Sequence, residues 1–513
     1  MSVPSILQPE FLPSPLGGEG SGVRGAACND LIHPSPQPSP QRGEGVRSSF
    51  QLALSLMLIG VSFACLPAGS ALAQEQKPAK AAKQKVQPKK AAQPEVTFPP
   101  QLPNGLAVAT DSSPDFLQHT VELADGVTVA KTPPTIDFVY FPGQTYAGKP
   151  WSAWGDSLFA NGKYYASIGD HLAPQGNAFV YEFDPEKKTF RQLLDLRKLL
   201  ALPDGHYTPG KFHSRLDLGR DGCLYCSTHR GSPSATVDAN HYEGDWIVRC
   251  HPESGKSEIV AHGPVGKHCI PNGTLDGERL IFYGGSAPGS AAENAAVQFF
   301  AYDVANRKRL YQGDNGPQRY MILAASTGRV YFTPGNDLSP LMRFDPASGS
   351  PPVEIPGRIG IRAATRESPA GDVITVSQAR GDVAALLYRF NTRTEKVEEL
   401  GPAPVASQTY VAAMCADASG RFVYYVPGAH GGADRDGSPI VQFDTKTRQR
   451  KVIAFLNPFY EKKYGAAPRG TYSVAVDPDG SRVFVTWNVS RGSRAWDCTA
   501  VTVVHVPESE RAR

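Results

Sequence analysis

The stretch Met342-Arg-Phe-Asp-Pro346 decides the fold, because similar stretches recur along the chain. Each one ends a run of strand-forming residues with an aromatic or apolar residue and then turns, mostly at Asp or Asn. The other copies are Tyr181-Glu-Phe-Asp-Pro185, Val248-Arg-Cys-His-Pro252, Phe300-Ala-Tyr-Asp303, Tyr388-Arg-Phe-Asn391, Val441-Gln-Phe-Asp444 and the degenerate Val503-Val-His-Val-Pro507. Successive copies start between 42 and 67 residues apart, a range that overlaps the blade length of about 40–50 residues in β-propellers.

A second element precedes each copy: two apolar strands joined by a tight turn that carries glycine, which supplies the positive φ of such turns. The seven turn glycines are Gly162, Gly222, Gly277, Gly328, Gly371, Gly420 and Gly480. Each repeat therefore has four antiparallel strands, and seven repeats predict an all-β, seven-bladed β-propeller. A right-handed β-helix is the alternative, but its repeats are shorter and more regular. We expect residues 98–150 to supply a strand that closes the ring, and residues 190–200 to form a short helix.

With these motifs, residues 151–508 resemble the broad group of seven-bladed propellers that includes gluconolactonase-like proteins, streptogramin lyases and oligogalacturonate lyases. The resemblance rests on the strand ends of the Arg-Phe-Asp-Pro type and on the glycine hairpins. Both are marks of architecture, and neither is specific to one activity in the group.

Composition limits the function classes. The chain has 513 residues, with 52 Lys and Arg against 49 Asp and Glu. Residues 1–95 carry nine basic and six acidic residues, which leaves 43 of each for the remainder. A balanced fold of this kind is not expected to bind nucleic acid. Fifty glycines, 45 prolines and only five methionines indicate a chain rich in turns and poor in helix.

The N-terminal segment is predicted to serve in targeting and not to be part of the folded domain. Residues 1–46 are low in complexity and rich in Pro and Gly. We expect them to be disordered or to result from a wrongly assigned start codon. Residues 47–73 join a basic residue, a short apolar run and an Ala-x-Ala site, as a signal peptide does. A membrane anchor and a lipoprotein tether at Cys65 are the alternatives. Residues 74–96 read as a Lys/Ala/Pro/Gln linker, and residues 97–513 as the propeller.

Export makes disulfides permissible, and the propeller region holds six cysteines. Cys223 and Cys226 have C-x-x-C spacing, but residues i and i+3 of a strand face opposite sides, so we expect no zinc or redox pair. Buried thiols are the default expectation for these cysteines. Cys250 and Cys269 are our candidate disulfide. The mature protein is expected to be periplasmic or secreted, with no stable membrane span.

The turn glycines also give reference positions from which residues at the channel mouth can be counted, and we call this count the glycine ruler. Nine residues before them stand Ala153, His213, His268, Arg319, Arg362, Val411 and Thr471. Where the second strands end, the sequence has three more histidines, His171, His229 and His430. Tyr410 and Tyr472 lie beside the column and could stack on a sugar. Five histidines and two arginines are thus predicted at one rim. The alternative for any single histidine is a hydrogen bond to a neighbouring blade's backbone.

These residue types suit an anionic ligand, with or without a metal, since imidazoles bind Mn, Zn or Fe and Arg offers a fork for carboxylates. The resemblance to oligogalacturonate lyases implies a histidine-rich metal site, at which uronate carboxylates bind and a base removes the α-proton. On that analogy His213, His229 and His268 would be the catalytic and metal-binding residues. Arg319, Arg362, His171, His430, Tyr410 and Tyr472 would bind substrate.

The leading prediction is therefore an exported propeller that binds an anionic small molecule or a uronate-type oligosaccharide. In that case it could act as a metal-dependent lyase or hydrolase with one divalent ion. The alternative is a propeller without catalysis that binds a ligand or another extracytoplasmic protein. No nucleotide is expected, because the chain has no P-loop or Rossmann fingerprint. No quinone is expected either, because five tryptophans are too few for docking repeats in every blade.

Overall fold

The computed structural model describes residues 96–511, apart from 293–294, 318, 336–338, 380–383 and 493–495. The predicted low-complexity segment, the signal peptide with Cys65, and the linker up to residue 95 lie outside the described residues. In the described ranges no helix is both long enough and apolar enough to cross a membrane.

Seven antiparallel sheets follow one another along the described chain, one for each predicted repeat. Three strands precede them: β1 (Ala109–Ser112), β2 (Val127–Val129) and β3 (Thr135–Tyr140). Blades one to three contain β4 (Leu158–Ala160), β5 (Lys163–Gly169), β6 (Ala178–Asp184), β7 (Thr189–Asp195), β8 (Asp217–Leu218), β9 (Leu224–Ser227), β10 (Trp246–Cys250), β11 (Ser257–His262), β12 (His268–Asp276), β13 (Ile281–Pro288), β14 (Gln298–Asp303) and β15 (Lys308–Gly313). Blades four and five contain β16 (Ile322–Ala324), β17 (Arg329–Phe332), β18 (Leu341–Phe344), β19 (Val353–Ile355), β20 (Ala363–Ala364), β21 (Asp372–Val376), β22 (Leu386–Asn391) and β23 (Lys396–Pro402). Blades six and seven contain β24 (Val411–Ala416), β25 (Phe422–Pro427), β26 (Pro439–Asp444), β27 (Arg450–Phe455), β28 (Ala467–Val476), β29 (Arg482–Ser490) and β30 (Cys498–His505).

The ring is closed by a strand from the N-terminal side of the blades, as predicted. Strand β3 pairs antiparallel with β30, from Thr135 opposite His505 to Tyr140 opposite Ala500, and so becomes the fourth strand of blade seven. Strand β1 adds a fifth strand beside β3, and β2 pairs in parallel with β27 at the edge of blade six. Residues before the first blade therefore stabilise the last two blades.

In five of the seven blades, an Asp or Asn ends the third strand or directly follows it, and its side chain organises the following turn. The Asp184 carboxylate accepts hydrogen bonds from the amides of Glu186 and Lys187 at 3.0 and 3.1 Å. The Asp345 carboxylate accepts one from the amide of Ala347 at 3.0 Å. Such local bonds explain why one short motif predicts the blade repeat.

The core lies between blades rather than inside any one of them. Seven clusters of buried apolar side chains each join two neighbouring blades of the described chain. Successive residues of a strand face opposite sides of its sheet, so one strand serves two interfaces. In β13, for example, Phe282 packs toward blade two and Tyr283 packs toward blade four.

Three sequence expectations are corrected. The segment 190–200 is strand β7 as far as Asp195, and only α1 (Leu196–Leu200) is helical. A second short helix, α2 (Phe459–Tyr464), was not predicted, and neither were six 3-10 turns. Those turns are Pro103–Gly105, Pro114–Leu117, Pro233–Ala235, Asp238–Asn240, Ala433–Asp436 and Glu508–Glu510. The disulfide prediction was wrong, because Cys250 ends a strand of blade two, Cys269 lies in blade three, and both thiols are free.

The closing strand gives a prediction about acid stability. Asp137 of β3 is buried and accepts hydrogen bonds from His505, Lys188 and Thr110 at 2.6–2.9 Å. Burial alone would raise its pKa, but these bonds and the Lys188 charge lower the pKa to about 2. A lowered pKa stabilises the fold above the ordinary carboxyl range, and this contribution disappears as pH falls from about 4 through 2. The contribution is up to about 2 kcal/mol, reduced by solvent screening.

The measurement is the free energy of unfolding between pH 7 and pH 2 for the parent and for Asp137→Asn. We expect the parent to lose more stability than the variant below pH 4, so that the two curves converge. Curves that stay parallel down to pH 2 would contradict this assignment.

Candidate functional site

Residues from the first strand of every blade, or from just before it, surround a central channel. The channel has three connected parts. The upper cavity, of about 210 Å³, is the part around His171, His229 and His430. The constriction, of about 30 Å³, lies below the upper cavity and is lined by Asp156 and Arg215, which the upper cavity lacks. The lower cavity, of about 250 Å³, continues from these two residues to the opposite opening.

Eight of the nine residues predicted for the site line the upper cavity. They are His171, His213, His229, Arg319, Arg362, Tyr410, His430 and Tyr472. The histidines come from where the sequence analysis placed them: His213 precedes the first strand of its blade, and the other three follow second strands. The exception is His268, which is outside the cavity wall. It pairs with Pro288 in its own hairpin, and its Nδ1 lies 3.2 Å from the Ser286 hydroxyl.

The prediction for His268 fails because Gly277 is not equivalent to the other turn glycines. Those six have φ between +73° and +84° and stand at or near the end of their turns. Gly277 begins its turn, and the positive φ of +54° belongs to Leu280 at the end. The ruler in this blade is therefore three residues out of register. Counting nine residues back from Leu280 gives Pro271, which does line the upper cavity.

One aromatic and two cationic residues of the upper cavity were not predicted from the sequence: Trp154, Lys211 and Arg230. Trp154 is at the centre of the aromatic wall, 4.6 Å from Tyr472 and 5.4 Å from His171 between ring centroids. The Lys211 ammonium lies 4.4 Å from the centre of the Trp154 ring, a cation–π contact. The missed signal was the spacing of Lys211, which stands two residues before His213 and lines the same cavity.

The upper cavity is strongly cationic. Four cationic side chains line it, those of Lys211, Arg230, Arg319 and Arg362, and no Asp or Glu does so among the described residues. None of the three arginines forms an ion pair with a described residue. Arg362 is only 5% exposed, and its Nε donates to the Tyr410 hydroxyl at 2.6 Å. Arg362 is thus a buried charge without an ion pair to a described residue, which is costly, so this site favours an anion.

The same surroundings keep His171, His213 and His229 neutral. Burial, followed by the nearby Lys211 charge, lowers the pKa of His213 and His229 well below the usual range. The same two causes lower the pKa of His171 to about 3. His171 Nε2 and His229 Nδ1 are buried and make no hydrogen bond to the described residues. Buried polar atoms are nearly always hydrogen-bonded, so these nitrogens favour a polar ligand.

His213 makes a hydrogen bond to the backbone of a neighbouring blade, which was the alternative role considered for each histidine. Its Nδ1 donates to the Pro271 carbonyl of the neighbouring blade at 2.5 Å. Because a carbonyl can only accept, the proton is on Nδ1 and the lone pair is on Nε2. His213 therefore bridges two blades and still has one ring nitrogen that can accept a proton or a hydrogen bond.

The predicted metal triad is not assembled. His213 and His229 have ring centroids 4.9 Å apart, but His268 is outside the cavity. Among the described residues no group of three or more His, Cys, Asp or Glu side chains is arranged to hold a metal ion. The cations around the cavity would also repel a divalent ion. The residues present do not fit the predicted metal, so no chemical step is derived through one.

Fold and site together define a class: a seven-bladed β-propeller with a cationic cavity, walled by aromatics, at one end of its channel. No family model matches the sequence, and no curated protein is detectably similar to it. Among solved structures, an oligogalacturonate lyase in complex with manganese is 12% identical with a TM-score of 0.47, covering 76% of this chain and 97% of that one. An oligogalacturonate lyase from Vibrio parahaemolyticus is also 12% identical with a TM-score of 0.47, covering 79% and 98%.

A more distant match is the β-propeller domain of the Trilobed protease from Pyrococcus furiosus. It is 9% identical with a TM-score of 0.39, covering 69% of this chain and 98% of that one. Likenesses at this level carry no inference about ligand or activity. The predicted resemblance to seven-bladed propellers is confirmed by the seven sheets of the chain itself.

Proposed function

We propose that this protein binds the acid group of a small anionic ligand in the upper cavity, and that the ligand is a uronate-type sugar or oligosaccharide. The observation that carries the proposal is the charge of the wall, where four cations face the space without a carboxylate among the described residues. Arg362 and Arg319 are the residues that would hold the acid group, because a guanidinium presents parallel N–H donors to a carboxylate.

The aromatic side chains favour a sugar over a bare inorganic anion. Trp154, Tyr410 and Tyr472 share the cavity with the arginines. Aromatic rings present apolar faces to the C–H groups of a sugar, while their polar atoms remain available for hydrogen bonds. The Tyr472 hydroxyl is hydrogen-bonded to His430 Nε2 at 2.7 Å, which fixes one side of this wall.

Catalysis at the same site is a second candidate, and the tautomer of His213 is the observation that favours it. With Nδ1 donating to Pro271, Nε2 has the lone pair that a general base needs. The lowered pKa makes a weak base, but the acid group of a bound ligand would raise the pKa again, because opposite charge favours the imidazolium. The reaction would be elimination or hydrolysis without a metal step.

We propose further that the protein works outside the cytoplasm. The basic residue, apolar run and Ala-x-Ala site in residues 47–73 support this location. Its ligand would then be a component of the periplasm or of the surroundings of the cell.

The test is calorimetric titration of the purified protein with trigalacturonate and with its methyl ester. The ester has the same rings but no charge, so we expect roughly 10- to 100-fold weaker binding from losing charge-assisted hydrogen bonds. His213→Ala should weaken binding of the acid, whereas His268→Ala, a matched histidine outside the cavity, should not.

The same samples separate binding from catalysis. An unsaturated or shortened product that disappears in His213→Ala and persists in His268→Ala would support the enzyme. Binding without any product would support a binding module. Equal affinity for acid and ester would overturn the proposal and leave a propeller that binds another protein.

A further inference from the structure

Arg215 is a buried cation in the channel below the upper cavity. Lys211, His213 and Arg215 stand at every second position of the chain. Lys211 lines the upper cavity, His213 lines both the upper cavity and the constriction, and Arg215 lines the constriction. Arg215 also lines the lower cavity. Arg215 is only 7% exposed, and its guanidinium carbon lies 5.4 Å from the centre of the Tyr320 ring.

The Arg215 guanidinium has two carboxylates nearby, those of Asp217 and Asp156, but neither forms an ion pair with it. The Arg215 Nε is buried and has no hydrogen-bond partner among the described residues, and the side chain forms no ion pair with them. The two nearest carboxylates already have other donors. Asp156 accepts from Ser157, Val474 and Tyr320. Asp217 accepts from Thr274 and Leu275 and pairs with Arg366 at 2.8 Å.

The charges around the constriction do not balance. Arg215, Arg319 and Arg362 line it, and Asp156 is the one carboxylate among its described residues. Burial is the largest influence on Asp156 and raises its pKa, while the neighbouring Arg215 charge acts in the opposite direction. A buried charge left unpaired destabilises the fold, so a counter-ion at this point would stabilise the protein.

We propose that the constriction is a binding site for a small monovalent anion of halide size, held by Arg215 with Arg319 and Arg362. The space of about 30 Å³ matches a group of about the size of one water molecule and is too small for a sugar ring. Three guanidiniums exclude a cation. Because Arg215 also faces the lower cavity, the ion can enter from the opening that the uronate ligand does not use.

This site shares Arg319 and Arg362 with the proposed uronate site, but its anchor, Arg215, belongs to it alone. Arg215 is absent from the wall of the upper cavity, and Lys211 is absent from the wall of the constriction. Arg215→Met therefore removes the anchor of the small anion and leaves the upper wall in place. Lys211→Met is the matched control, since it removes one cation from the upper cavity only.

The first test is crystallographic. Crystals of the purified protein grown in sodium bromide should show an anomalous scattering peak within hydrogen-bonding distance of Arg215. The second test is the line width of the ³⁵Cl resonance with protein present. We expect excess broadening in the parent, its loss in Arg215→Met, and its persistence in Lys211→Met.

A crystal without bromide at Arg215 would overturn the proposal, and so would equal broadening in the parent and Arg215→Met. The crystal result does not depend on whether the variant folds. Failure of the uronate titration would leave the bromide result unaffected, so the two proposals stand or fall separately.

Discussion

Replacing Arg362 with methionine is expected to weaken uronate binding by at least about 30-fold, because it removes one partner of a desolvated charge pair. Arg362 is nearly fully buried and is held in place by its neighbours. Its Nε donates to Tyr410, and its guanidinium carbon lies 4.7 Å from the Tyr410 ring and 5.6 Å from the Tyr472 ring. A guanidinium fixed in this way loses little freedom when a carboxylate binds, so its loss is felt mainly in affinity.

The measurement is calorimetric titration with trigalacturonate at neutral pH and low salt. Arg366→Met is the matched control, because Arg366 follows the same short strand β20 but pairs with Asp217 at the lower cavity. It should bind like the parent. Arg362→Lys should fall between the two, since lysine keeps the charge but not the fork. A loss in Arg366→Met as large as in Arg362→Met would show that the effect is not specific to the upper cavity.

The architecture was predictable because its signals are local and repeated. An Asp such as Asp184 or Asp345 organises the turn after its own strand, and it does so whatever lies elsewhere in the chain. Alternation along strands such as β13 then sends side chains to two interfaces. Seven repeats of the strand pattern, five of them with an Asp or Asn at this turn, specify seven blades, and the leftover N-terminal strand closes the ring.

The site was predictable only as far as the glycine ruler holds. It holds for His213, Arg319 and Arg362, and it fails at His268 because Leu280 takes the conformation that glycine takes in the other blades. A left-handed leucine has no sequence signature. The metal triad was lost with it.

Contacts between blades were beyond the sequence for a different reason. Cys250 and Cys269 are near in sequence, yet the two thiols belong to separate sheets, and spacing alone cannot show this. The His213 bond to Pro271 also crosses from one blade to the next. Trp154 and Lys211, by contrast, stand one and two residues from Ala153 and His213, positions that the glycine count had already identified.

The largest effect on stability is expected at the closing strand. Phe138 of β3 is fully buried, with ring centroids 5.2 Å from Tyr140 and 5.0 Å from Tyr460. Phe138→Ala should lower the free energy of unfolding by roughly 3–5 kcal/mol, from lost burial and the cavity left behind. Strand β3 is held to blade seven by its pairing with β30, because the chain that follows β3 continues into blade one. Loss of the Phe138 packing therefore also weakens the closure of the ring.

Urea unfolding followed by circular dichroism measures this effect, with Leu106→Ala as the control. Leu106 stands shortly before β1, the strand that pairs with β3, but it is 50% exposed. Its truncation should therefore change stability by less than about 0.5 kcal/mol. Removing every residue through Tyr140 should go further, because it leaves the edge of β30 unpaired along its length and invites aggregation. If the truncated protein unfolds with the parent's midpoint, the ring does not depend on β3 for closure. If Phe138→Ala loses less than about 1 kcal/mol, blade seven is stable without the packing that β3 brings to it.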